Sequence, residues 1–305
     1  MGAYQNKNLS SLTVVESTSH QSPRIARLRS LLDSISKLKV LVVGDAITDE
    51  YCYVRPLGMS AKENIIATRY EHTESFEGGV LAAVKHIKGF CETVHASFGP
   101  GYVIKRRFVE EAYTRKLFEV HVEGFNYWGN KKTNFEDYDV VVVTDFGHGF
   151  VTPQMIHEME ETSKFLAVNA QTNSANRGFN LITKYKRADF VVVDELESRL
   201  AAHDRESRIE DVILKLGFPK MIVTRGANGA IGYDGDFHDS KALTKIVTDS
   251  MGAGDAFFCV TAPLAAIGAG MADLLEIGNA AGAIKCASVG QIAVDKETLC
   301  RTIGV

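Results

Sequence analysis

Five runs of this chain are apolar and rich in valine from end to end: KVLVVGD at Lys39 to Asp45, YDVVVVTD ending at Asp145, FLAVNA ending near Asn169, ADFVVVDE ending near Asp194 and PKMIVTRG ending near Thr224. None alternates polar with apolar residues, so each predicts a strand covered on both faces. Helical spacing fills most of the intervals, as in Thr152 to Lys164 and Arg208 to Leu216, and an amphipathic helix over Arg24 to Lys37 precedes the first run. The order is β-α-β-α, which predicts an α/β fold of three layers, α/β/α, around a mostly parallel sheet.

In such a sheet ligands gather at the carboxyl ends of the strands. Those ends carry Asp45 with Asp49, Asp145, Asn169, Asp194, and Thr224 with Arg225. One polar residue there marks only the passage from strand to loop; the set predicts a polar cleft. Two segments, 51–76 and 103–123, break the rhythm with short stretches of aromatic and β-branched residues interleaved with charge. They predict a small β lid exposed on one face. Its apolar side needs cover, from the cleft or from a second chain, and a homodimer through the lid is expected.

Composition sets the outer limits. A chain of 305 residues with 45% apolar content can bury a large core. The balance of 34 basic to 38 acidic residues offers no field for a nucleic-acid backbone. The five cysteines are scattered without a C-x-x-C pair and read as reduced thiols. The polar, Ser-rich residues 1–23 lack helical or strand periodicity and predict a mobile arm, with neither the basic nor the long apolar region of a secretory leader. The most apolar stretch, Ala256 to Met271, is broken by Thr261, Pro263 and glycines. The expectation is a cytoplasmic protein with no membrane and no nucleic-acid partner.

The sharpest motif is VTDSMGAGDAFFCVTAPLAAIGAG, Val247 to Gly270. Gly252, Ala253 and Gly254 allow a tight turn at the start of a helix, where free backbone N–H groups favour an anion such as phosphate. Asp255 follows at once. A carboxylate there would repel phosphate, so its use is to accept a proton from an attacking hydroxyl while the amides stabilise the transferring group. The alternative is a capping carboxylate after a glycine turn.

DSMGAGD resembles the D-T-x-G-A-G-D signature of the ribokinase-like, or PfkB, carbohydrate kinases, with Ser250 where threonine is usual. Four other segments support the likeness. LVVGDAITDEY (Leu41 to Tyr51) is similar to the family's first strand and the sugar-binding aspartate, matched by Asp49. FEGGVLAAVKHI (Phe76 to Ile87) resembles the substrate-side diglycine, matched by Gly78 and Gly79. TRGANGAIGYDG resembles the nucleotide-binding T-x-G-x-x-G, matched by Thr224, Gly226 and Gly229. GNAAGAIKCASVGQ resembles the helix beside the adenine, with Asn279 at the base. The Gly44, Asp45, Asp49 spacing and TDFGHG at Thr144 to Gly149 are most similar to the kinase domain of bifunctional ADP-heptose synthesis enzymes, without their nucleotidyltransferase half.

The resemblance implies one kinase domain over 24–305, ATP with Mg²⁺, and a sugar or sugar-phosphate substrate. Asp255 would be the base, Gly252 to Gly254 the anion hole, and Asp49, Gly78 and Gly79 the sugar anchor. The family's N-x-x-E motif appears as Asp194 and Glu197, oxygen donors suited to hydrated Mg²⁺ or, alternatively, a plain helix start. Apolar Leu81 to Ala83 replace the polar residue that often follows the diglycine, and the interval from Gly79 to Lys105 is short, as though a helix and strand had been lost. Lys105, Arg106 and Arg107 suit a substrate phosphate, and Lys105 is assigned to it. Strand alternation lets at most two of the three face inward, and a solvated outer strand is the alternative. His148 receives no role, and Trp128 is expected to pack in a loop or the lid. No G-x-x-x-x-G-K-[ST] string, H-E-x-x-H or first-strand Rossmann turn is present. A nucleoside kinase of the same family is the second reading, and a weak member kept for binding or assembly the third.

Overall fold

Each valine run lies in the middle of an eight-stranded sheet, and its alternate residues supply two separate cores. In the first run Val40 and Val42 point to one face while Leu41 and Val43 point to the other. Val140 and Val142 are likewise opposed to Val141 and Val143 in the second. This is why no polar alternation is visible: neither face meets water. The structure, a computed structural model, describes residues 23–99, 102–113, 115–124, 133–244, 247–287 and 292–305. The expected arm, apart from Pro23, and Trp128 lie outside the described residues.

In chain order the elements are α1 (Pro23–Ser34), β1 (Lys39–Gly44), β2 (Ala46–Met59), β3 (Ile66–Gly79), α2 (Val80–Lys88), β4 (Thr93–Ser97), β5 (Tyr102–Glu110) and β6 (Arg115–Gly124). There follow β7 (Val140–Asp145), α3 (Pro153–Thr162), β8 (Leu166–Ala170), β9 (Phe190–Asp194), α4 (Glu195–Ala202), α5 (Ile209–Leu216), β10 (Met221–Thr224), β11 (Ala230–Tyr233) and β12 (Phe237–Ser240). Helices α6 (Ala253–Ala266), α7 (Met271–Cys286) and α8 (Lys296–Ile303) complete the chain. The large sheet runs β12-β11-β10-β9-β8-β7-β1-β4, parallel from β10 to β4 with an antiparallel β11–β12 edge. Buried residues of α1, α2, α6, α7 and α8 belong to one core and those of α3 and α5 to the other. The three layers are those expected from the sequence.

The two irregular segments form a second sheet, β3-β2-β5-β6. Its strands reach beyond the boundaries read from sequence. Asp49, expected beside Asp45 at the end of the first strand, lies inside β2, opposite Phe76 of β3 and Lys105 of β5. The reason is that a single residue, Asp45, separates β1 from β2, so the lid grows directly out of the main sheet. The short interval before Lys105 has a similar cause: edge strand β4 ends at Ser97 and lid strand β5 begins at Tyr102.

Among the described residues no helix is long and apolar enough to cross a membrane, and the five cysteines are free thiols. On α2, His86 is 1% exposed and its Nδ1 accepts from the Val294 N–H at 3.1 Å. Burial, helped by the charge of Lys285, pushes its pKa down to about 4 from 6.5. The folded chain therefore binds fewer protons than the unfolded one between these values. This contribution to stability is full above pH 6.5 and is lost as the pH falls through 4. A ring titration followed by NMR should show a midpoint near 4; a midpoint near 6.5 would mean that His86 is not sealed in.

Candidate active site

The Gly252 turn decides where α6 begins. Gly252 takes φ 76° and caps the helix with no side-chain bond; the Ala253 N–H donates to the Ser250 carbonyl at 3.3 Å, and the Gly254 and Asp255 N–H groups that follow are the ones open to a ligand. At Gly254 a Cβ would meet no atom within 4 Å, so the backbone there borders open space. Asp255 sits in this first turn and is half-buried. Burial raises its pKa, and the nearby charge of Asp49 adds to that, while Gln171, Lys105 and Lys285 oppose it. One carboxylate oxygen accepts from Gln171 Nε2. The same Gln171 nitrogen donates to Asn169 Oδ1 at 2.8 Å, and Asn169 Nδ2 donates to the Val192 carbonyl at 2.7 Å. A chain of amides anchored on the sheet thus aims the carboxylate. Gln171 was not legible from sequence as a site residue.

A cavity of about 560 Å³ opens beside this turn, within the usual range for a small-molecule site. Gly252, Ala253, Gly254 and Asp255 line it together with Thr224, Gly226, Gly229, Asn279, Asp194 and Glu197. The structure therefore brings the proposed base, anion hole, nucleotide and metal residues into one space. Gly229 takes φ 85°, and a Cβ there would lie 1.9 Å from the Ser240 carbonyl oxygen, so the β10–β11 turn closes only with glycine. Asn279 Nδ2 donates to Ser240 Oγ at 2.9 Å and to the Lys241 carbonyl at 3.2 Å, which fixes the far wall.

Asp194 and Glu197 form a capping box at the start of α4. Asp194 Oδ1 accepts from the Glu197 N–H, Glu197 Oε2 from the Asp194 N–H, and Glu197 Oε1 from the Thr172 N–H. Burial, with Asp194 beside it, pushes the Glu197 carboxyl up to about 8. Among the described residues no group of three or more acidic, His or Cys side chains could hold a metal. This donor set fits a magnesium ion carried by nucleotide phosphates and met by Asp194, and not an all-protein cage.

The sugar-side residues stand outside that cavity's lining and approach from the lid. Lys105 and Arg107 point inward and are buried, while Arg106 points out and pairs with Glu50 at 2.6 Å. Arg107 is saturated by Asp49 at 2.5 Å and Glu119 at 2.6 Å. Lys105 makes no hydrogen bond or ion pair among the described residues, and its Nζ lies 5.5 Å from the Phe146 ring centre. Burial pushes its pKa down, against the pull of Asp49. A Cβ on Gly78 would lie 2.4 Å from Asp49 Oδ2, and one on Gly79 2.2 Å from the Asp45 carbonyl oxygen. The diglycine thus makes room for the Asp49 carboxylate and for the lid's root.

Other strand-end residues are structural. Asp45 accepts from the His148 and Phe150 N–H groups, and Asp145 from Gly147 N–H and the Tyr185 hydroxyl. His148 Nδ1 lies 2.9 Å from Glu123 Oε1 and ties this loop to the lid. Asp249, two residues before Met251 at the glycine turn, is gripped by the lid as well: Tyr51 donates to it at 3.2 Å and Lys116 at 3.3 Å. Although burial opposes it, the Met251 N–H and Lys116 hold its carboxyl below the ordinary range.

Comparison with known proteins bears on the fold and the family. The relatives named bifunctional protein HldE from Hyphomonas neptunium and Rhodopseudomonas palustris are 22% and 24% identical, each over 92% of this chain, which spans 66% of their length. The ribokinase of Arabidopsis thaliana, solved with ribose and ATP, superposes with a TM-score of 0.67 at 13% identity, covering 88% of this chain and 99% of that one. The nucleoside kinase of Methanocaldococcus jannaschii gives 0.62 at 13%, covering 88% and 100%, so these two likenesses speak for the fold alone. The model of the pfkB family carbohydrate kinases matches residues 130–298, which hold Thr224 to Gly229, the glycine turn, Asp255 and Asn279. With more than half of its length inside that match, the chain belongs to the pfkB family of carbohydrate kinases.

Proposed function

We propose that this kinase transfers a phosphoryl group from ATP to a hydroxyl of a sugar that already carries an anionic group, with heptose phosphates the first class to test. The observation that supports this is Lys105. Its ammonium faces inward from the lid without a hydrogen-bonding partner, and its charge reaches both Asp49 and Asp255. A cation with a buried stem and no hydrogen-bonding partner is ready to meet an anionic group, and a dianionic substrate would pair with it. Asp255 would take the proton of the attacking hydroxyl while the Gly252 to Gly254 amides hold the transferring group. Asp49, set in place by Arg107 and Gly78, would bind sugar hydroxyls, and Thr224, Gly226, Gly229 and Asn279 would shelve the nucleotide. Magnesium would neutralise charge on the phosphates; Asp194 would meet it, and Glu197 would keep Asp194 in place.

The test is ATP turnover against heptose phosphates, free sugars and nucleosides. Highest kcat/KM on a phosphorylated sugar supports the reading. Preference for a nucleoside would reassign the substrate, and no phosphorylation above background would point to a binding role.

We also infer that two chains pair through the lid. Asp49, Lys105 and Arg107 of the lid are turned inward, while Phe118, Val120, Ile66 and Tyr70 are exposed. At concentrations on the order of tens of micromolar, sedimentation should find a dimer. A strictly monomeric species would remove the pairing and leave the lid.

A further inference from the structure

Lysine 285 stands in the last turn of α7, 1% exposed, and its Nζ has no hydrogen-bond partner among the described residues. Few side chains are more expensive to bury in this way. Nothing in the packing requires an ammonium there, since a methionine has similar length and no charge. The surroundings explain its place. The carbonyl of the next residue, Cys286, accepts from the N–H groups of Thr248 and Asp249 at 2.8 and 3.3 Å, so the end of α7 carries the strand of chain that leads into the glycine turn. Among the groups whose charge bears on Lys285 are Asp249 and Asp255, the two carboxylates that bracket that turn, together with Cys286 and, in the opposite sense, Lys116.

We propose that Lys285 is a positioning residue for phosphoryl transfer: a buried positive charge that holds the Asp249 to Asp255 turn in its anion-binding form. The inference rests on the assignment of that turn to the transferring phosphate. Two carboxylates six residues apart in sequence flank a site that must receive a polyanion. Without a compensating cation they would oppose both each other and the ligand. Lys105 and Lys116 compensate from the lid side, and Lys285 is the cation supplied by the core of the domain. Because it is enclosed, its field is weakly screened and needs no reorganisation when charge shifts during transfer.

This origin has a signature that a structural lysine lacks. Lys285→Met removes an unpaired buried charge and keeps the volume, so its melting temperature should equal or exceed that of the parent. Its kcat should fall by about tenfold or more, with KM for ATP changed by less than about threefold. Amides 248–256 should exchange faster with deuterium in this variant, a readout that needs no turnover and so separates this proposal from the sugar-kinase assignment. In Lys285→Ala, ammonium ion should restore the slow exchange and part of the rate, and neutral methanol should not. A melting temperature that falls while kcat is retained, or loop exchange indistinguishable from the parent, overturns the proposal. If the parent phosphorylates none of the sugars tested, the exchange measurements alone decide it in the same two directions.

Discussion

Asp255→Asn should lower the rate of sugar phosphorylation by roughly 10² to 10⁴, the range for loss of a general base, and leave ATP binding nearly unchanged. The substitution is nearly isosteric, and the Asn carbonyl can still accept from Gln171, so the amide chain from Val192 through Asn169 stays intact. What disappears is an oxygen able to take a proton. Burial already raises the Asp255 pKa, which makes the carboxylate a stronger base than one in water. The competing view is that Asp255 merely favours the helix start, since it lies in the first turn of α6. That view predicts a stability loss of about 0.3–1 kcal/mol with turnover intact. Kinetics and a melting curve on one preparation separate the two, and parent-like turnover would falsify the base assignment.

Gly254→Val carries the second large effect. No atom stands within 4 Å of where its Cβ would be, and its φ lies outside the left-handed region, so the fold should accept the side chain. Replacing glycine inside a helix also removes a local cost of some tenths of a kcal/mol. The branched side chain would instead fill the space over the N–H groups of the turn. Turnover should fall by roughly 10² or more, as when a donor to a transition-state anion is lost, with ATP binding weakened as well. The neighbouring Gly252, at φ 76°, would confuse the result, because there a side chain strains the backbone itself. A Gly254→Val protein that melts like the parent and phosphorylates at its rate would place the phosphate elsewhere.

The features that sequence made legible are those governed by short-range pattern. Valine runs without alternation gave the covered strands because both faces of β1 and β7 are apolar. Alternation in the KRRFV segment limited the inward cations to two, and Lys105 and Arg107 are the ones turned in. The glycine turn was readable because its chemistry is concentrated in four consecutive residues. What escaped depended on distance along the chain. Gln171 reaches Asp255 across 84 positions, and Tyr51 reaches Asp249 across 198. Neither pair leaves a local trace. Lys285 looks in sequence like an ordinary basic residue at a helix end, favoured there by the dipole, and only the fold reveals that it is enclosed. The capping box at Asp194 shows the converse: D-x-x-E is as legible as a helix start as it is as a metal motif, and the same atoms serve the first use.

The near-absence of a linker between β1 and β2 makes the lid a lever. Strand β2 is 14 residues long, so at about 3.3 Å per residue its tip stands roughly 45 Å from its root. Asp49, Gly78 and Gly79 lie at the root, while Met59 and Ile66 lie at the tip. A tilt of about 5° would carry the tip by roughly 4 Å over that length, yet shift Asp49, only a few residues from the fulcrum, by about 1 Å. The gearing also runs the other way: whatever clamps the tip sets the position of the sugar-side carboxylate with about a quarter of its own positional error. A second chain resting on the outer part of the lid would therefore act as a stop that steadies the reacting end, without contributing a single atom to it.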